Sequence, residues 1–379
     1  MPMCPPLSSR AACAASFGDY FRRDLRPNRH MHRPNRLDTR LTTLLGAALA
    51  LTAGGTATRA QATPGMRPPA NETMDARARR YESWASTNRD PSARLSRVVL
   101  WECATCPEMV IVPSGDFTIG SPTDEPGRGT DEGPQRRMSI ERPFAVSRFE
   151  ITRGEYKVFL RETGHAVRGN CVTDRAKPGT WAPEPNTTLF DPGFEQADDH
   201  PVVCVSWDDA KAYVAWLNRR TSGGYRLLTG SEWEFAARAG STATYPWGPN
   251  VSDGCPHANT ADSTIGRKYP TWTVAACDDG ALHTSPVGAY HPNALGLYDM
   301  IGNAQEWVED CATDSYDSLP PAGHADLTGD CARRVVRSSS WGTQPKDNRV
   351  ANRVRYPRGQ VDDSVGIRVA KTLADAAIR

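Results

Sequence analysis

The segment 293–310, NALGLYDMIGNAQEWVED, concentrates oxygen donors in a stretch that also contains turn-forming glycines. Asp299 and Glu306 supply two carboxylates, and Gly302 and Ala304 supply two backbone carbonyls, all within eight residues. A hard cation such as calcium prefers an all-oxygen donor set of this kind. The pattern predicts a cation-stabilised loop and not a helix. The alternative, for the segment alone, is a solvated turn followed by a strand.

A second oxygen-rich cluster combines residues 257–260, HANT, with residues 278–281, DDGA. On its own this pattern does not define a metal site. The eight histidines of the chain are scattered, and we expect His200 and His283 to be hydrogen-bonded structural residues. A histidine-rich iron or copper site therefore has no support in the sequence.

Cys103 and Cys106 have the spacing of a thioredoxin-type redox pair, in which a following helix lowers the pKa of one thiol. Here Pro107 and the strand-like residues MVIV follow the pair, so a structural disulfide is the preferred interpretation. A zinc site would need a second pair of ligands at matching spacing. The sequence also lacks zinc-protease, phosphate-loop and serine-hydrolase motifs.

Three segments carry helix-start signals, and each signal is a capping box. The boxes are Thr152 with Glu155, Ser206 with Asp209, and Thr229 with Glu232. Gly164 and Gly240 are predicted to end the first and third helices. Aromatic residues at helical spacing in these segments are predicted to fill the core. Short strands and long connections make up the rest, which predicts an irregular α+β domain.

The composition indicates a loop-rich globular protein. The 379 residues include 31 glycines and 30 prolines with 39% hydrophobic residues, which is not the composition of a disordered chain. Lys and Arg total 45 against 44 for Asp and Glu. Because the charges balance, a nucleic-acid partner is not expected.

Residues 1–62 are predicted to be a signal peptide region that is removed on export, with Met31 as an alternative start. The apolar run 41–53 follows basic residues, and Ala60-Gln61-Ala62 offers the small residues that a signal peptidase needs. The run is too short for a comfortable membrane span, although an uncleaved anchor is the alternative. Residues 63–100 are predicted to form a linker or N-terminal arm, and 101–375 one domain of a monomeric periplasmic or secreted protein.

Eight cysteines remain outside residues 1–62, and this even number favours disulfides in an oxidising compartment. Their order along the chain suggests four local pairs. These are Cys103 with Cys106, Cys171 with Cys204, Cys255 with Cys277, and Cys311 with Cys331. Eight cysteines permit about 105 pairings, so the sequence leaves the connectivity open.

Three further segments of the chain, taken together with 293–310, form a pattern whose order and approximate spacing are informative. They are YRLLTGSEWEFAARAG at 225–240, RVVRSSSWGTQPKDNRVANRVR at 334–355 and DDSVGIRVAK at 362–371. Together, from about Pro107 to Ala370, they resemble the formylglycine-generating enzyme family, also called the sulfatase-modifying factor family. The resemblance implies a loop-rich variant of the C-type-lectin-like fold.

The resemblance also implies two structural calcium sites. The positions matching the first site are Asn259, Thr260, Asp279 and Ala281, and those matching the second are Asp299, Gly302, Ala304 and Glu306. The family has an amide where Asp299 stands, so the aspartate keeps an oxygen donor and adds a charge. Calcium is therefore the expected cofactor, because a bound ion would stabilise loops that lack a hydrophobic core of their own.

Active family members carry a Gly-Gly-Ser-aromatic turn and then two cysteines, five residues apart, that hold copper(I) and oxidise a substrate cysteine to formylglycine. Here the turn reads SSSW at 338–341, and Thr343 and Asn348 stand at the two cysteine positions. A hydroxyl and an amide are hard donors with little affinity for copper(I), so copper is not expected. Ser338 and Ser339 lack the freedom of glycine at positive φ, which predicts a reshaped turn.

A cleft for a peptide or an acidic ligand is predicted around this turn. Its residues are Ser340, Trp341, Thr343, Asn348, Arg349 and Arg353. For these arginines and Arg355 the alternative is a surface pairing with Asp347, Asp362 or Asp363.

Three functions follow from the resemblance. The leading hypothesis is an exported non-oxidase member that binds a peptide, a modified amino acid or a partner protein, in the maturation of a secreted product. The second is an enzyme, either the formylglycine-generating oxidase or another metal-dependent oxidative maturation enzyme, since relatives in pyoverdine maturation and the iron-dependent sulfoxide synthases work without the cysteine pair. The third is a lectin-like surface binding module.

Overall fold

The computed structural model describes residues 99–373. The predicted signal peptide region 1–62, and the predicted linker except for its last two residues, lie outside the described residues. Those two residues form strand β1 (Val99–Leu100), which pairs antiparallel with β2 (Met109–Val112). The last two residues of the segment predicted to be a linker therefore belong to a strand of the domain.

A five-stranded antiparallel sheet divides the interior into two cores. Besides β1 and β2 it contains β5 (Phe144–Ser147), β8 (Tyr225–Leu227) and β13 (Val369–Thr372), in the order β1-β2-β5-β13-β8. Alternate residues of a strand point to opposite faces. In β2, Met109 and Ile111 pack into one core, while Val110 and Val112 pack into the other.

A second sheet carries the segments that define the candidate site. It contains β9 (Gln305–Ala312), β10 (Asp330–Arg337), β11 (Val354–Pro357) and β12 (Val365–Gly366), in the order β11-β10-β9-β12. The hairpins β3 (Gly115–Ile119) with β4 (Arg136–Ile140), and β6 (Val172–Thr173) with β7 (Ala182–Pro183), complete the strands of residues 99–373. The segment 293–310 is thus a turn followed by a strand, and its residues 295–308 are all buried and not solvated.

The three predicted helices are confirmed, each with its capping box. They are α1 (Arg153–Thr163), α2 (Trp207–Arg220) and α3 (Gly230–Arg238). Gly164 ends α1 as predicted, whereas Ala239 takes the left-handed conformation that ends α3, one residue before Gly240. A fourth helix, α4 (Ser263–Lys268), was not predicted. It begins after Asp262, whose carboxylate accepts from two backbone N–H groups.

All four predicted cysteine pairs form disulfides. Long connections join the few regular elements, and short 3₁₀ turns at Val251–Asp253 and Pro345–Asp347 lie within them. The predicted irregular α+β architecture is therefore confirmed. Within the described range, no helix combines the length and the apolar character needed to cross a bilayer.

Candidate functional site

The turn that follows β10 contains a serine in a backbone conformation that glycine usually adopts. Ser338 is buried and has a φ of 70°, in the left-handed region that non-glycine residues rarely adopt. Its hydroxyl donates to the carbonyl of Ser339. Ser338 therefore adopts a left-handed conformation without the freedom of glycine, because the surrounding structure imposes it.

The hydroxyl of Thr343 closes this turn. It accepts a hydrogen bond from the backbone N–H of Ser340 at 2.9 Å and lies 3.1 Å from the Ser340 hydroxyl. The backbone N–H of Thr343 donates to the Ser340 carbonyl at 3.0 Å. Thr343 is half-buried, so one face of the closed turn is reachable from solvent.

Asn348 lies at the other end of the 3₁₀ turn that follows Thr343. Only 1% of Asn348 is exposed, and its Oδ1 atom has no hydrogen-bond partner within residues 99–373. An unpaired buried amide oxygen is a cost that native structures usually avoid. The Oδ1 atom of Asn348 is therefore unsatisfied. The Thr343 hydroxyl and the Asn348 amide flank the 3₁₀ turn at the two positions where a copper(I) site would need thiolates.

Aromatic rings surround the turn. Trp341 is 1% exposed and meets Phe194 and His283 edge-on, with ring centroids 5.6 and 4.9 Å away. Phe194 stacks on His283 at 4.4 Å. Further along, Trp272 stacks on Tyr269 at 4.3 Å and contacts Trp181 at 5.4 Å. Phe194, His283, Trp181 and Trp272 are half-buried, so this aromatic wall is open on one side.

A polar cluster of Lys268, His283, Asp174 and Tyr269 lies against the aromatic wall. The Lys268 ammonium is 3.2 Å from His283 Nε2 and 3.9 Å from Asp174 Oδ1. Tyr269 donates its hydroxyl proton to Asp174. Burial, and then the charge of Lys268, lower the pKa of His283 to about 4. His283 is therefore a neutral acceptor at pH 7, facing a charged donor.

Lys268, His283 and Asp174 were not predicted as site residues. His283 is hydrogen-bonded, as predicted, but its partner is a lysine 15 residues away. Lys268 ends helix α4, and the N-cap residue Asp262 was the signal that could have identified that helix. No local pattern connects Asp174 to the other two.

The two predicted cleft arginines are framework residues. Arg349 is 1% exposed, and its two terminal nitrogens each lie 2.6 Å from an oxygen of Glu132. It also pairs with Glu125 at 2.9 Å. Arg353 donates to the Asp131 carbonyl. Both guanidiniums are engaged by protein partners, and these partners differ from the predicted Asp347, Asp362 and Asp363.

The structure brings the two predicted calcium clusters together. Gly302 lies so close to Asn259 that an added Cβ would be 2.4 Å from the Asn259 carbonyl oxygen. In the first cluster, the Asp279 carboxylate accepts from the backbone N–H groups of Thr260 and Ala281, both at 2.9 Å. Burial raises the pKa of Asp279 to about 7. The buried Asn259 Oδ1 has no partner among the described residues, which fits an oxygen ligand.

In the second cluster the two carboxylates differ. Asp299 is 2% exposed, with Oδ2 accepting from the Gly288 N–H at 2.7 Å and Oδ1 unpartnered within residues 99–373. Glu306 is occupied on both oxygens, by Arg368 Nε at 2.7 Å and by Trp233 Nε1 at 2.6 Å. No group of three or more His, Cys, Asp or Glu side chains in residues 99–373 is arranged to hold a metal. A cation at either cluster would therefore depend on amide and backbone oxygens as well.

Comparisons with known proteins agree with this geometry. The model of the sulfatase-modifying factor enzyme 1-like domain matches residues 96–373. The chain is 32% identical to the inactive C-alpha-formylglycine-generating enzyme 2 of Mus musculus, over 70% of this chain and 86% of the relative. It is also 32% identical to the formylglycine-generating enzyme of Thermomonospora curvata, over 58% of this chain and 77% of that relative.

The solved structure of PvdO from Pseudomonas aeruginosa is similar, with 37% identity and a TM-score of 0.62 over 73% of this chain and 98% of that one. The four disulfides fit an oxidising compartment. With the family model covering most of the chain, and the turn, loops and disulfides in place, this protein belongs to the sulfatase-modifying factor family, the family of formylglycine-generating enzymes.

Proposed function

We propose that this protein is an exported, non-oxidase member of its family that binds a ligand beside the turn 338–343. The observation that carries the proposal is the state of the two positions that would be copper ligands. The Thr343 hydroxyl closes the turn, and Asn348 is a buried amide. Neither group can act as a thiolate, and copper(I) selects soft sulfur ligands.

The other cysteines do not compensate for this loss. All eight cysteines of residues 99–373 are paired in disulfides. A disulfide sulfur is neither the nucleophile nor the metal ligand that a thiolate is. Copper-dependent oxidation of a substrate cysteine therefore has no thiolate pair in this part of the chain.

The ligand we propose is a peptide or modified amino acid with an acidic group. The Lys268 side chain is 28% exposed, and its ammonium has three donors. His283 accepts from it at 3.2 Å, and Asp174 is 3.9 Å away. The ammonium can thus still donate to a carboxylate, while Trp272 and Phe194 offer half-buried rings to an apolar part of the ligand.

We also propose calcium as a structural ion. Asn259, Thr260, Asp279 and Ala281 would hold one ion. Asp299, Gly302, Ala304 and Glu306 would hold a second. The connection between α4 and β9 has little regular structure, so bound cations would supply rigidity that hydrogen-bond ladders do not. The unpartnered oxygens of Asn259 and Asp299 support this assignment.

A maturation enzyme that works without copper thiolates is the second candidate. It is favoured by the contact between Lys268 and His283, a charged donor beside a neutral acceptor. Lysine and histidine are residue types that can serve in general acid–base catalysis when they lie beside a substrate. This candidate uses the same ligand position, so it shares the binding test.

The binding test is an array of synthetic peptides, each present with a free C-terminal carboxylate and as the C-terminal amide. We expect the protein to retain a subset of the carboxylate forms and to release their amides. Lys268→Met should lose these signals by tenfold or more, and Lys211→Met, which removes a lysine from α2, should keep them. Equal binding by Lys268→Met would contradict the proposed ligand position, and exclusive binding to a glycan array would favour a lectin-like module.

A further inference from the structure

The disulfide between Cys103 and Cys106 takes no part in the proposed function. It lies in the connection between β1 and β2, and its cysteines are only 3 residues apart, whereas the other three pairs are 20, 22 and 33 residues apart. In the chain-entropy model, the stabilisation by a disulfide grows with the length of the loop that it closes. This disulfide is therefore the one whose reduction should cost the fold least.

The two sulfur-bearing residues differ in their access to solvent. Cys103 is half-buried, whereas only 3% of Cys106 is exposed. Thiol–disulfide exchange depends on which sulfur an incoming thiolate can reach. A thiolate from outside can therefore attack Cys103 and displace Cys106.

Hydrogen bonds that do not involve sulfur hold the backbone around the pair. The Cys106 N–H donates to the Cys103 carbonyl at 3.0 Å, and Trp101 Nε1 donates to the Cys106 carbonyl at 3.1 Å. Strand β1 pairs with β2 across this connection. The turn can thus keep its place when the sulfur–sulfur bond is broken.

A thiolate at Cys103 would have a hydrogen-bond donor beside it. Thr105 Oγ1 lies 3.8 Å from Cys103 Sγ, and Arg220 Nη2 donates to the same oxygen at 3.3 Å. Because Oγ1 accepts from Arg220, its own proton can point to the sulfur. An arginine close to a cysteine favours the thiolate form. No helix follows this pair, since β2 does, so Thr105 and Arg220 stand in for the helix N-terminus of a thioredoxin-type site.

The carboxylates around this group are paired. Glu102, which precedes Cys103, meets Lys371 at 2.9 Å. Glu162 pairs with Arg220 and also accepts from Trp216 Nε1 at 2.9 Å. Neither carboxylate thus presents an uncompensated charge to a thiolate at Cys103.

We propose that Cys103 and Cys106 form a redox-active disulfide that oxidises a dithiol in a peptide or protein. One substrate thiolate attacks Cys103 Sγ, forms a mixed disulfide and releases Cys106 as a thiolate. The second substrate thiolate then attacks the substrate sulfur of the mixed disulfide and releases Cys103. The substrate gains a disulfide, the pair gains two electrons, and the two substrate protons pass to the pair or to solvent.

Another disulfide, such as glutathione disulfide, would restore the oxidised pair by the reverse exchange. This chemistry uses neither copper nor oxygen, so it is separate from the oxidation of cysteine to formylglycine. It is also independent of the ligand proposed beside the turn 338–343.

The test is equilibration of the wild-type protein in a series of glutathione buffers, followed by acid quenching, alkylation and mass spectrometry of the digested peptides. The other three disulfides are internal controls in the same sample. We expect the Cys103–Cys106 pair to be reduced at a glutathione ratio that leaves the other three oxidised, with the thermal transition retained. The proposal is wrong if this pair stays oxidised until another opens, or if the transition is lost when it opens.

A reduced dithiol peptide, incubated without oxygen, tests the direction of the reaction. The oxidised protein should remove two thiols per chain from the peptide, and the double variant Cys103→Ser with Cys106→Ser should remove none. Equal loss of thiols with the double variant would contradict the proposal.

Single variants test the assigned roles. Cys106→Ser should form a mixed disulfide with glutathione disulfide through Cys103, whereas Cys103→Ser should leave the buried Cys106 unreacted. Arg220→Met should make the pair harder to reduce, by about threefold or more in the glutathione ratio at half-reduction, because the thiolate loses its support. Arg219→Met is the matched control and should leave that ratio unchanged; equal ratios for both arginine variants, or equal reactivity of the two cysteines, would overturn these roles.

Discussion

Two sets of buried polar groups in this domain differ in how completely they are satisfied. In the framework set, Arg337 meets Glu234 at 2.6 Å and Arg349 meets Glu132 at 2.6 Å, and among these four side chains only Arg337 Nε lacks a hydrogen-bond partner within residues 99–373. In the site set, the side-chain oxygens of Asn348 and Ser339 are buried without partners among residues 99–373, and the buried carboxylate of Asp363 has the carboxylate of Asp362 as a neighbour. Native proteins leave few buried groups unpaired. The contrast separates residues that hold the fold from residues that stand beside the turn and the loops.

Breaking a framework pair should have the largest effect on stability. Glu234 accepts from Arg337 and from Arg238, and all three side chains are at most 10% exposed. Removing one member leaves a buried charge without compensation. We expect Glu234→Gln to lower the free energy of unfolding by about 3–5 kcal/mol in urea titrations.

The control for this variant is an exposed ion pair. Arg137 is 80% exposed where it meets Asp116, and solvent screens such pairs. Arg137→Ala should leave the urea midpoint unchanged. A loss of stability in Arg137→Ala equal to that of Glu234→Gln would mean that burial does not distinguish the two pairs.

Removing a buried charge from the site set should stabilise the protein, whereas removing one from the framework set destabilises it. Burial, followed by the charge of Asp362, raises the pKa of Asp363 well above its ordinary value. The unfolded carboxyl ionises near pH 4, so the folded state is penalised as the pH rises from there towards the folded pKa. Asp363→Asn should therefore stabilise the protein at pH 7, by roughly 1.4 kcal/mol for each unit of the raised pKa.

Thermal unfolding at two pH values checks this sign. At pH 4 the wild type and Asp363→Asn should unfold at similar temperatures, and at pH 7 the variant should be the more stable. If Asp363→Asn is less stable at pH 7, then a donor or a cation compensates the carboxylate, and Asp363 belongs with the framework.

The smallest effect concerns the backbone of the turn. Ser338 has a φ of 70°, and the left-handed region costs a non-glycine residue about 1–2 kcal/mol. Ser338→Gly loses one weak hydroxyl bond and should still stabilise the protein by about 1 kcal/mol, as measured by urea unfolding. Ser340→Gly is the matched control, because its φ is not positive, and it should destabilise.

Local signals in the sequence predicted three of the four α-helices of residues 99–373 and suggested the four disulfide pairs that form. Capping boxes act over three residues, so Thr152, Ser206 and Thr229 could be recognised without knowledge of the fold. The order of the cysteines suggested the pairs that form, because each pair closes a loop of 33 residues or fewer.

Long-range partners could not be predicted in the same way. Arg349 was assigned to a cleft because it follows the turn, but its partner Glu132 is 217 residues away. The polar cluster joins Asp174 to Tyr269 across 95 residues. Only the packing of the folded chain selects such partners, so the sequence located the turn and missed Lys268 and His283 beside it.

The most direct test of the non-oxidase function is mass spectrometry of a cysteine-containing, sulfatase-type peptide. The peptide is incubated with the purified protein, copper(I), reductant and oxygen, in parallel with the formylglycine-generating enzyme of Thermomonospora curvata as the active control. With this protein shown to be folded by its thermal transition, we expect the peptide to keep its thiol while the control converts it. Conversion of the thiol to an aldehyde by this protein would contradict the account and would require a copper site that uses neither Thr343 nor Asn348.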